Sequence, residues 1–214
     1  MKTTILLVRH GQSEANLVGV FAGHTGHPLT PLGHEQAERA AKYIKETYAV
    51  DTVYSSDLPR AFQTADHIAR AFSLPVITNA QFREINGGAW ENVPYSELLK
   101  AFPEDFGLWS RDIGNATCTD GEAVLSVANR VYQAMIDVAE ANPGKCIVVA
   151  SHATPIRSSL WKISGKDVSA MQSSTWVGNC GISELLYEGG TLKLVKENYT
   201  GHLVGVETNL PKDV

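Results

Sequence analysis

The sequence predicts a three-layer α/β/α sandwich in which helices cover both faces of a mostly parallel sheet with an antiparallel edge. Two short apolar runs, at residues 5–8 and 146–150, have the composition of strands buried on both faces. Segments with the apolar spacing of helices alternate with predicted strands, and the last part of the chain indicates a hairpin around Glu188-Gly189-Gly190. This order of elements is typical of an open α/β sheet with one antiparallel addition.

The first part of the chain alternates predicted strands with two helices whose starts have recognisable signals. Thr30 is placed to cap a helix that has Pro31 at its first position. Asp57 is expected to cap the following helix, which carries an apolar stripe. Besides these helices, the patterns predict strands at 5–8, 50–54 and 74–77 and a glycine-rich loop at 11–29.

The regular alternation is interrupted at residues 79–121, where glycines, prolines and aromatic residues accumulate. Only residues 95–102 predict a helix there, so we expect a lid-like insertion within a single domain that spans residues 1–214. Beyond the insertion, the patterns predict helices at 122–142 and 155–163, a strand at 146–150 and hairpin strands at 181–187 and 191–195.

Composition excludes several classes of protein. The chain has 214 residues, is 43% hydrophobic and carries a net charge of -5, which fits one globular domain and argues against a nucleic-acid surface or a polybasic membrane patch. No apolar run is long enough for a membrane span or a signal-peptide core, so a cytoplasmic location is expected. Cys118, Cys146 and Cys180 are widely spaced, which predicts three buried free thiols rather than disulfides or a zinc site.

Two histidines directly follow predicted buried strands. His10 comes after the strand at 5–8 and beside Arg9, and His152 comes after the strand at 146–150. Open α/β sheets bind ligands at the carboxyl ends of their strands. We therefore expect the two histidines to face one another across a crevice, and we interpret the other five histidines as structural or merely exposed.

The motifs that surround these histidines resemble the histidine phosphatase superfamily, the phosphoglycerate-mutase-like proteins. The resemblance extends in order from the first strand to the hairpin, which makes it far more specific than Arg-His-Gly alone. It implies the phosphoglycerate-mutase-like fold and phosphatase chemistry. The matching segments are Arg9-His10-Gly11 with Ser13 and Asn16, residues 28–33, residues 55–65, Glu84 with residues 88–91, Gly121-Glu122 with Arg130, and residues 148–152.

The chemistry of the residues agrees with this resemblance. A neutral imidazole can attack phosphorus, and neighbouring guanidinium groups disfavour its protonation, so His10 is the predicted nucleophile. Arg9, Arg60 and His152 are predicted to hold the phosphoryl oxygens. Glu84 is the predicted proton donor, because expelling an alkoxide at neutral pH needs a nearby acid. The predicted substrate-binding residues are Ser13, Asn16, Gly23 and Ala153, the last standing where the family often has glycine.

Four aromatic residues of the insertion have two interpretations. Trp90, Tyr95, Phe106 and Trp109 either form an apolar wall around the leaving group or make up the core of the insertion. For any one of them, the core of the insertion is the favoured interpretation.

The sequence therefore predicts a metal-independent phosphomonoesterase that uses no cofactor and acts on a small phosphorylated metabolite through a phosphohistidine. A phosphoglycerate mutase is the first alternative, disfavoured because residues 84–152 lack the paired arginines expected for a substrate carboxylate. A non-catalytic module that binds phosphorylated ligands and a zinc hydrolase based on His10 and His152 are further alternatives. The sequence leaves open whether the protein forms a homodimer.

Overall fold

A computed structural model describes residues 1–208 of the chain. The six strands are β1 (Thr3–Arg9), β2 (Thr52–Ser55), β3 (Val76–Thr78), β4 (Cys146–Ser151), β5 (Ile182–Glu188) and β6 (Thr191–Tyr199). The α-helices are α1 (Glu14–Val18), α2 (Pro31–Thr47), α3 (Pro59–Phe72), α4 (Tyr95–Ala101), α5 (Asp105–Arg111), α6 (Val124–Glu140) and α7 (Ala153–Ser164).

The six strands form one sheet in the order β3-β2-β4-β1-β5-β6. The four strands β3, β2, β4 and β1 are parallel, whereas β5 runs antiparallel to β1 and β6 antiparallel to β5. The predicted three-layer sandwich with an antiparallel edge is confirmed.

Alternation along β1 explains why both faces of the sheet are covered. Ile5 and Leu7 are buried in a core with α6 and α7, whereas Leu6 and Val8 are buried in a second core with α2 and α3. Successive side chains of a strand point to opposite faces, so four consecutive apolar residues require a layer on each side.

Local signals were correct at one helix start and wrong at another. The Thr30 side chain accepts a hydrogen bond from the Gly33 amide and caps α2, with Pro31 in its first turn. The predicted Asp57 cap was wrong: α3 starts at Pro59 without a side-chain cap, and Asp57 forms an ion pair with Arg83 instead. The carboxylate gains a charged partner there, which replaces a helix amide as its hydrogen-bond donor.

The insertion, residues 79–121, contains more helix than its sequence predicted. Besides α4 it includes α5 and several short 3-10 turns, and α1 likewise lies within the predicted loop at 11–29. Helices as short as α1 and α5 offer too few turns to establish an apolar period. Cys118 and Cys180 are buried free thiols as predicted, whereas Cys146 is only partly buried.

Candidate active site

The ends of two neighbouring parallel strands bring the predicted catalytic histidines together. Arg9 at the end of β1 pairs with Ser151 at the end of β4. His10 and His152 each follow directly, and their rings meet edge to face with centroids 5.1 Å apart. Because β1 is parallel to β4 and antiparallel to β5, this site stands where the sheet changes from parallel to antiparallel. A ligand site is expected at the carboxyl ends of the parallel strands of an open sheet.

Hydrogen bonds from both sides fix the backbone at the end of β1. The His10 amide donates to the Ser151 carbonyl at 3.0 Å, and the Cys180 amide donates to the Arg9 carbonyl at 3.1 Å. A Cβ atom on Gly11 would overlap the carbonyl oxygen of Gly33, so only glycine allows this close approach of the loop to α2. The position of the His10 backbone is therefore set by the sheet and by α2 together.

One hydrogen bond assigns the tautomer of His10. Its Nδ1 lies 2.7 Å from the Gly11 carbonyl oxygen, which can only accept, so Nδ1 carries the proton and Nε2 keeps a lone pair. Burial lowers the pKa of His10 well below its usual range, and the nearby positive charges of Arg60 and Arg9 lower it further. The ring is thus neutral and its Nε2 is available as a nucleophile.

Two buried arginines stand beside His10. Arg60 donates to the carbonyl oxygens of Gly23 at 2.8 Å and Thr25 at 3.0 Å, and Arg9 donates to the Val177 carbonyl at 2.6 Å. Burial lowers the pKa of Arg60 to about 10, which leaves it cationic at neutral pH. Among residues 1–208, the buried Nε atoms of both arginines have no hydrogen-bond partner. Unpaired buried donors on two cations provide a site for an anion.

His152 is fully buried behind His10. Its Nε2 lies 2.8 Å from the Ser56 hydroxyl, and its buried Nδ1 has no hydrogen-bond partner in the part of the chain that the structure describes. Burial lowers the pKa of His152 well below its usual range, with a further contribution from Arg60. The cavity wall at this point is formed by the next two residues, Ala153 and Thr154, in the first turn of α7. A helix N-terminus directed at a cavity favours an anion.

Glu84 reaches the cavity from the insertion and is only 8% exposed. Its Oε1 accepts a hydrogen bond from the Ile85 amide at 2.9 Å. Its backbone carbonyl accepts from Arg130 Nη2 at 2.9 Å and lies 2.9 Å from His24 Nε2. Arg130 of α6, in an ion pair with Glu122, therefore fastens the segment that carries the carboxylate.

The cavity collects most of the predicted site residues but not all of them. Asn16, Gly23 and Ala153 line it, whereas Ser13 and His152 are fully buried and do not belong to the described lining. Ser13 caps α1 and bonds with Asn16. The described lining consists of Arg9, His10, Asn16, Gly19, Val20, Phe21, Ala22, Gly23, Arg60, Glu84, Tyr95, Trp109, Ala153, Thr154, Trp176 and Thr208.

The aromatic residues of the insertion divide between the two predicted roles. Tyr95 and Trp109 line the cavity, whereas Trp90 and Phe106 are buried in the core. Phe21 and Trp176 were missed, because each lies in a segment with no periodic pattern and no motif to single it out.

Across residues 1–208, no group of three or more histidine, cysteine, aspartate or glutamate side chains is arranged to hold a metal ion. No helix in the same range has the length and apolar character that crossing a bilayer requires.

The cavity at the carboxyl ends of the parallel strands carries two buried arginines beside two strand-end histidines, which defines a class of α/β protein suited to binding an anion. A family model described as histidine phosphatase superfamily (branch 1) matches residues 5–200, and the chain belongs to this family. Relatives named as phosphatases belong to this superfamily, and the chain is a phosphoric monoester hydrolase.

Several known proteins are similar to the chain over most of its length. Phosphoserine phosphatase 1 of Hydrogenobacter thermophilus is 33% identical over 93% of this chain and 93% of its own. A mutant phosphoserine phosphatase from Entamoeba histolytica, solved in complex with phosphoserine, is 30% identical with a TM-score of 0.83 and covers 94% of this chain and 99% of that one. A solved Bacillus stearothermophilus protein, YhfR, has a TM-score of 0.89 over 94% of this chain and 99% of its own, and at 22% identity it supports the fold alone.

Proposed function

We propose that this chain is a metal-independent phosphomonoesterase that transfers the phosphoryl group of a small phosphorylated metabolite to His10 and then to water. The observation that carries this proposal is the hydrogen bond from His10 Nδ1 to the Gly11 carbonyl, because it leaves the Nε2 lone pair free in a cavity beside two cations. Relatives named as phosphatases for phosphoserine and for adenosylcobalamin/α-ribazole support a small phosphorylated substrate.

In the first half-reaction, the substrate phosphate binds between Arg9, Arg60 and His152. The lone pair of His10 Nε2 forms a bond to phosphorus, and the ester P–O bond breaks. The departing oxygen takes a proton from the Glu84 carboxyl group and leaves as the free alcohol. Fixed guanidinium charges stabilise the negative charge of the transferring group, so the site needs no metal to supply charge.

In the second half-reaction, water hydrolyses the phosphohistidine. The Glu84 carboxylate removes a proton from the water as its oxygen bonds to phosphorus. The N–P bond breaks, the lone pair returns to His10 Nε2, and inorganic phosphate leaves. Asn16, Gly23 and Ala153 line the phosphate end of the cavity in this proposal, whereas Ser13 acts indirectly by orienting Asn16.

Phosphate release from p-nitrophenyl phosphate in excess EDTA tests the proposal. We expect full activity of the native chain, loss of activity in His10→Ala, and retention in the matched control His34→Ala, whose ring lies between α2 and α3. Alkaline rapid quench followed by mass spectrometry should find one phosphoryl group on the peptide that contains His10. Activity that persists in His10→Ala would refute the nucleophile, and inhibition by EDTA would favour the zinc hydrolase. Return of the phosphoryl group to a product isomer would indicate a mutase.

A further inference from the structure

The charged groups of the cavity are confined to one end. Within residues 1–208, the charged lining side chains are Arg9, Arg60 and Glu84. Arg9 and Glu84 are charged neighbours of Arg60, and both arginines are charged neighbours of His10, so we call the part of the cavity around these four residues the reactive end. The rest of the described lining has no lysine, arginine or acidic side chain. The part of the cavity that receives the alcohol portion of a phosphomonoester is therefore built from uncharged residues.

One aromatic wall joins the loop after β1 to the insertion. Phe21 packs against Tyr95 and Trp109, with ring centroids 5.8 Å apart in both pairs. Phe21 also meets the buried ring of Trp90 edge to face at 5.5 Å. These contacts give the wall a fixed shape before any substrate binds.

A second aromatic surface comes from the segment between α7 and β5. The Arg157 guanidinium stacks over the Trp176 ring at 4.1 Å, and it also donates to the Met171 and Gln172 carbonyls at 2.9 Å. The neighbouring Val177 carbonyl binds Arg9. Trp176 is thus fixed on one side by Arg157 and lies next to a residue that contacts the reactive end.

We propose that the alcohol portion of the substrate is uncharged and carries an aromatic or bulky aliphatic group that packs against Phe21, Trp109 and Trp176. A carboxylate placed there would lose its hydration without gaining a cationic partner, because Arg9 and Arg60 are committed to the phosphate. An apolar group gains about 25 cal/mol for each Å² removed from water. This inference rests on the proposed function, since it concerns the leaving group of that same site.

The first test compares primary alkyl phosphates whose leaving alcohols have similar basicity. The probes are methyl phosphate, 3-phenylpropyl phosphate, 3-carboxypropyl phosphate and phosphoserine. We expect kcat/KM for 3-phenylpropyl phosphate to exceed that for methyl phosphate on the order of tenfold, and both carboxylates to be poorer than methyl phosphate. A carboxylate probe that equals or exceeds 3-phenylpropyl phosphate overturns the inference.

Variants at two tryptophans make the test specific to the cavity. Trp176→Ala should lower the 3-phenylpropyl to methyl ratio of kcat/KM roughly fivefold. Trp161→Ala is the matched control, because Trp161 lies on α7 outside the described lining, and its ratio should stay native. A ratio does not depend on the folded fraction, so partial unfolding of either variant does not alter the reading. An unchanged ratio in Trp176→Ala overturns the assignment of that wall.

A variant that should gain activity toward a carboxylate substrate provides a further test. Val20 lines the cavity and precedes Phe21 of the aromatic wall in the chain, and Val20→Lys should raise kcat/KM for 3-carboxypropyl phosphate relative to 3-phenylpropyl phosphate. No change in that relative rate counts against the inference. Failure of the proposed function is distinguishable, because it appears as hydrolysis of all four probes that survives His10→Ala, or as no hydrolysis of any probe by the native chain.

Discussion

The reactive end of the cavity and its aromatic walls are built in different ways. His10 and Arg9 stand at the end of a central strand whose backbone is hydrogen-bonded to β4 and to residue 180. Tyr95 and Trp109 stand on two seven-residue helices of the insertion, α4 and α5. The groups assigned to the chemistry thus lie mainly on the sheet, and those assigned to the leaving group lie mainly on connecting segments, where sequence changes disturb the sheet least.

Glu84 is an exception to this contrast between the sheet and the connecting segments. It is assigned to the chemistry, but it belongs to the insertion rather than to a strand end. Its segment is fastened by Arg130, which binds the carbonyl oxygens of Gln81, Arg83 and Glu84. Arg130 of α6 therefore holds the segment that carries the Glu84 carboxylate in place.

The largest expected effect separates Glu84 from the strand-end residues. Glu84→Gln should slow hydrolysis of alkyl phosphates on the order of 10³-fold, because an alkoxide cannot leave without a proton. Hydrolysis of p-nitrophenyl phosphate should fall far less, since nitrophenolate leaves unprotonated. Steady-state kinetics with both substrates measures the difference, and Glu97→Gln, an exposed position on α4, is the control. Equal losses on the two substrates would contradict the role of Glu84 as an acid.

The next effect tests whether the insertion is a separate unit. Trp90 is fully buried, touches Phe106 and Trp109 edge to face, and shares one core with Ile5 of β1. Trp90→Ala should therefore lower the global free energy of unfolding by about 3 kcal/mol.

Urea denaturation followed by far-UV circular dichroism measures this free energy. We expect one cooperative transition, and Leu99→Ala, at an exposed position on α4, should change stability by less than about 0.5 kcal/mol. A second transition with the main unfolding midpoint unchanged would show that the insertion unfolds by itself.

The third prediction concerns pH and the two buried histidines. The pKa values of His10 and His152 are held well below 6.5, chiefly by burial, so the unfolded state binds more protons than the folded state as the pH falls below about 6.5. Their contribution to stability is complete above that pH and is lost on acidification, at up to about 1.4 kcal/mol per pH unit for each histidine.

Urea denaturation between pH 7.5 and 5.5 measures this slope. His10→Gln should have a shallower dependence than the native chain, because one of the two linked protons is removed. An identical slope would mean that His10 does not contribute. The aromatic walls contain no such group, so Trp176→Ala should keep the native slope.

The smallest expected effect tests whether the hydrogen bonds from Arg130 of α6 position the insertion segment that carries Glu84. Arg130→Met should lower alkyl phosphate hydrolysis roughly tenfold relative to p-nitrophenyl phosphate, because Glu84 loses its fixed position. Arg130→Lys keeps a cation near the carbonyl oxygens and should recover part of the loss. A fall that is equal for both substrates would assign Arg130 a general structural role rather than the positioning of the acid.

The reactive end and the aromatic walls also differ in how much of each could be predicted from the sequence. The apolar run before His10 predicts a buried strand because its pattern is local, and the meeting of His10 with His152 follows from the rule that parallel strands share their carboxyl edge. The tautomer of His10 depends on a carbonyl one residue away whose direction no pattern encodes. The same holds for Ser13, which the motif places at the phosphate and the structure places at the start of α1.

The positions of Trp176 and Phe21 in the cavity wall could not be predicted from the sequence, for a different reason. Trp176 lines the cavity because Arg157, nineteen residues earlier, stacks on its ring. Phe21 does so because the insertion folds against it. Such contacts between distant segments leave no period in the sequence, and a tryptophan in an irregular segment is equally compatible with core or surface. Asp57 illustrates the same limit, since a partner from the insertion displaced its predicted role as a cap.

The position of β1 in the sheet has a consequence for biosynthesis. Among the six strands of the sheet, β1 is synthesised first, yet its partners begin at residues 146 and 182. At the usual rate of translation the apolar segment at 5–8 waits about ten to thirty seconds before both edges are paired. The apolar segment of β1 therefore stays unpaired during most of the synthesis of the sheet, and His10 meets His152 only after the residues between them have emerged.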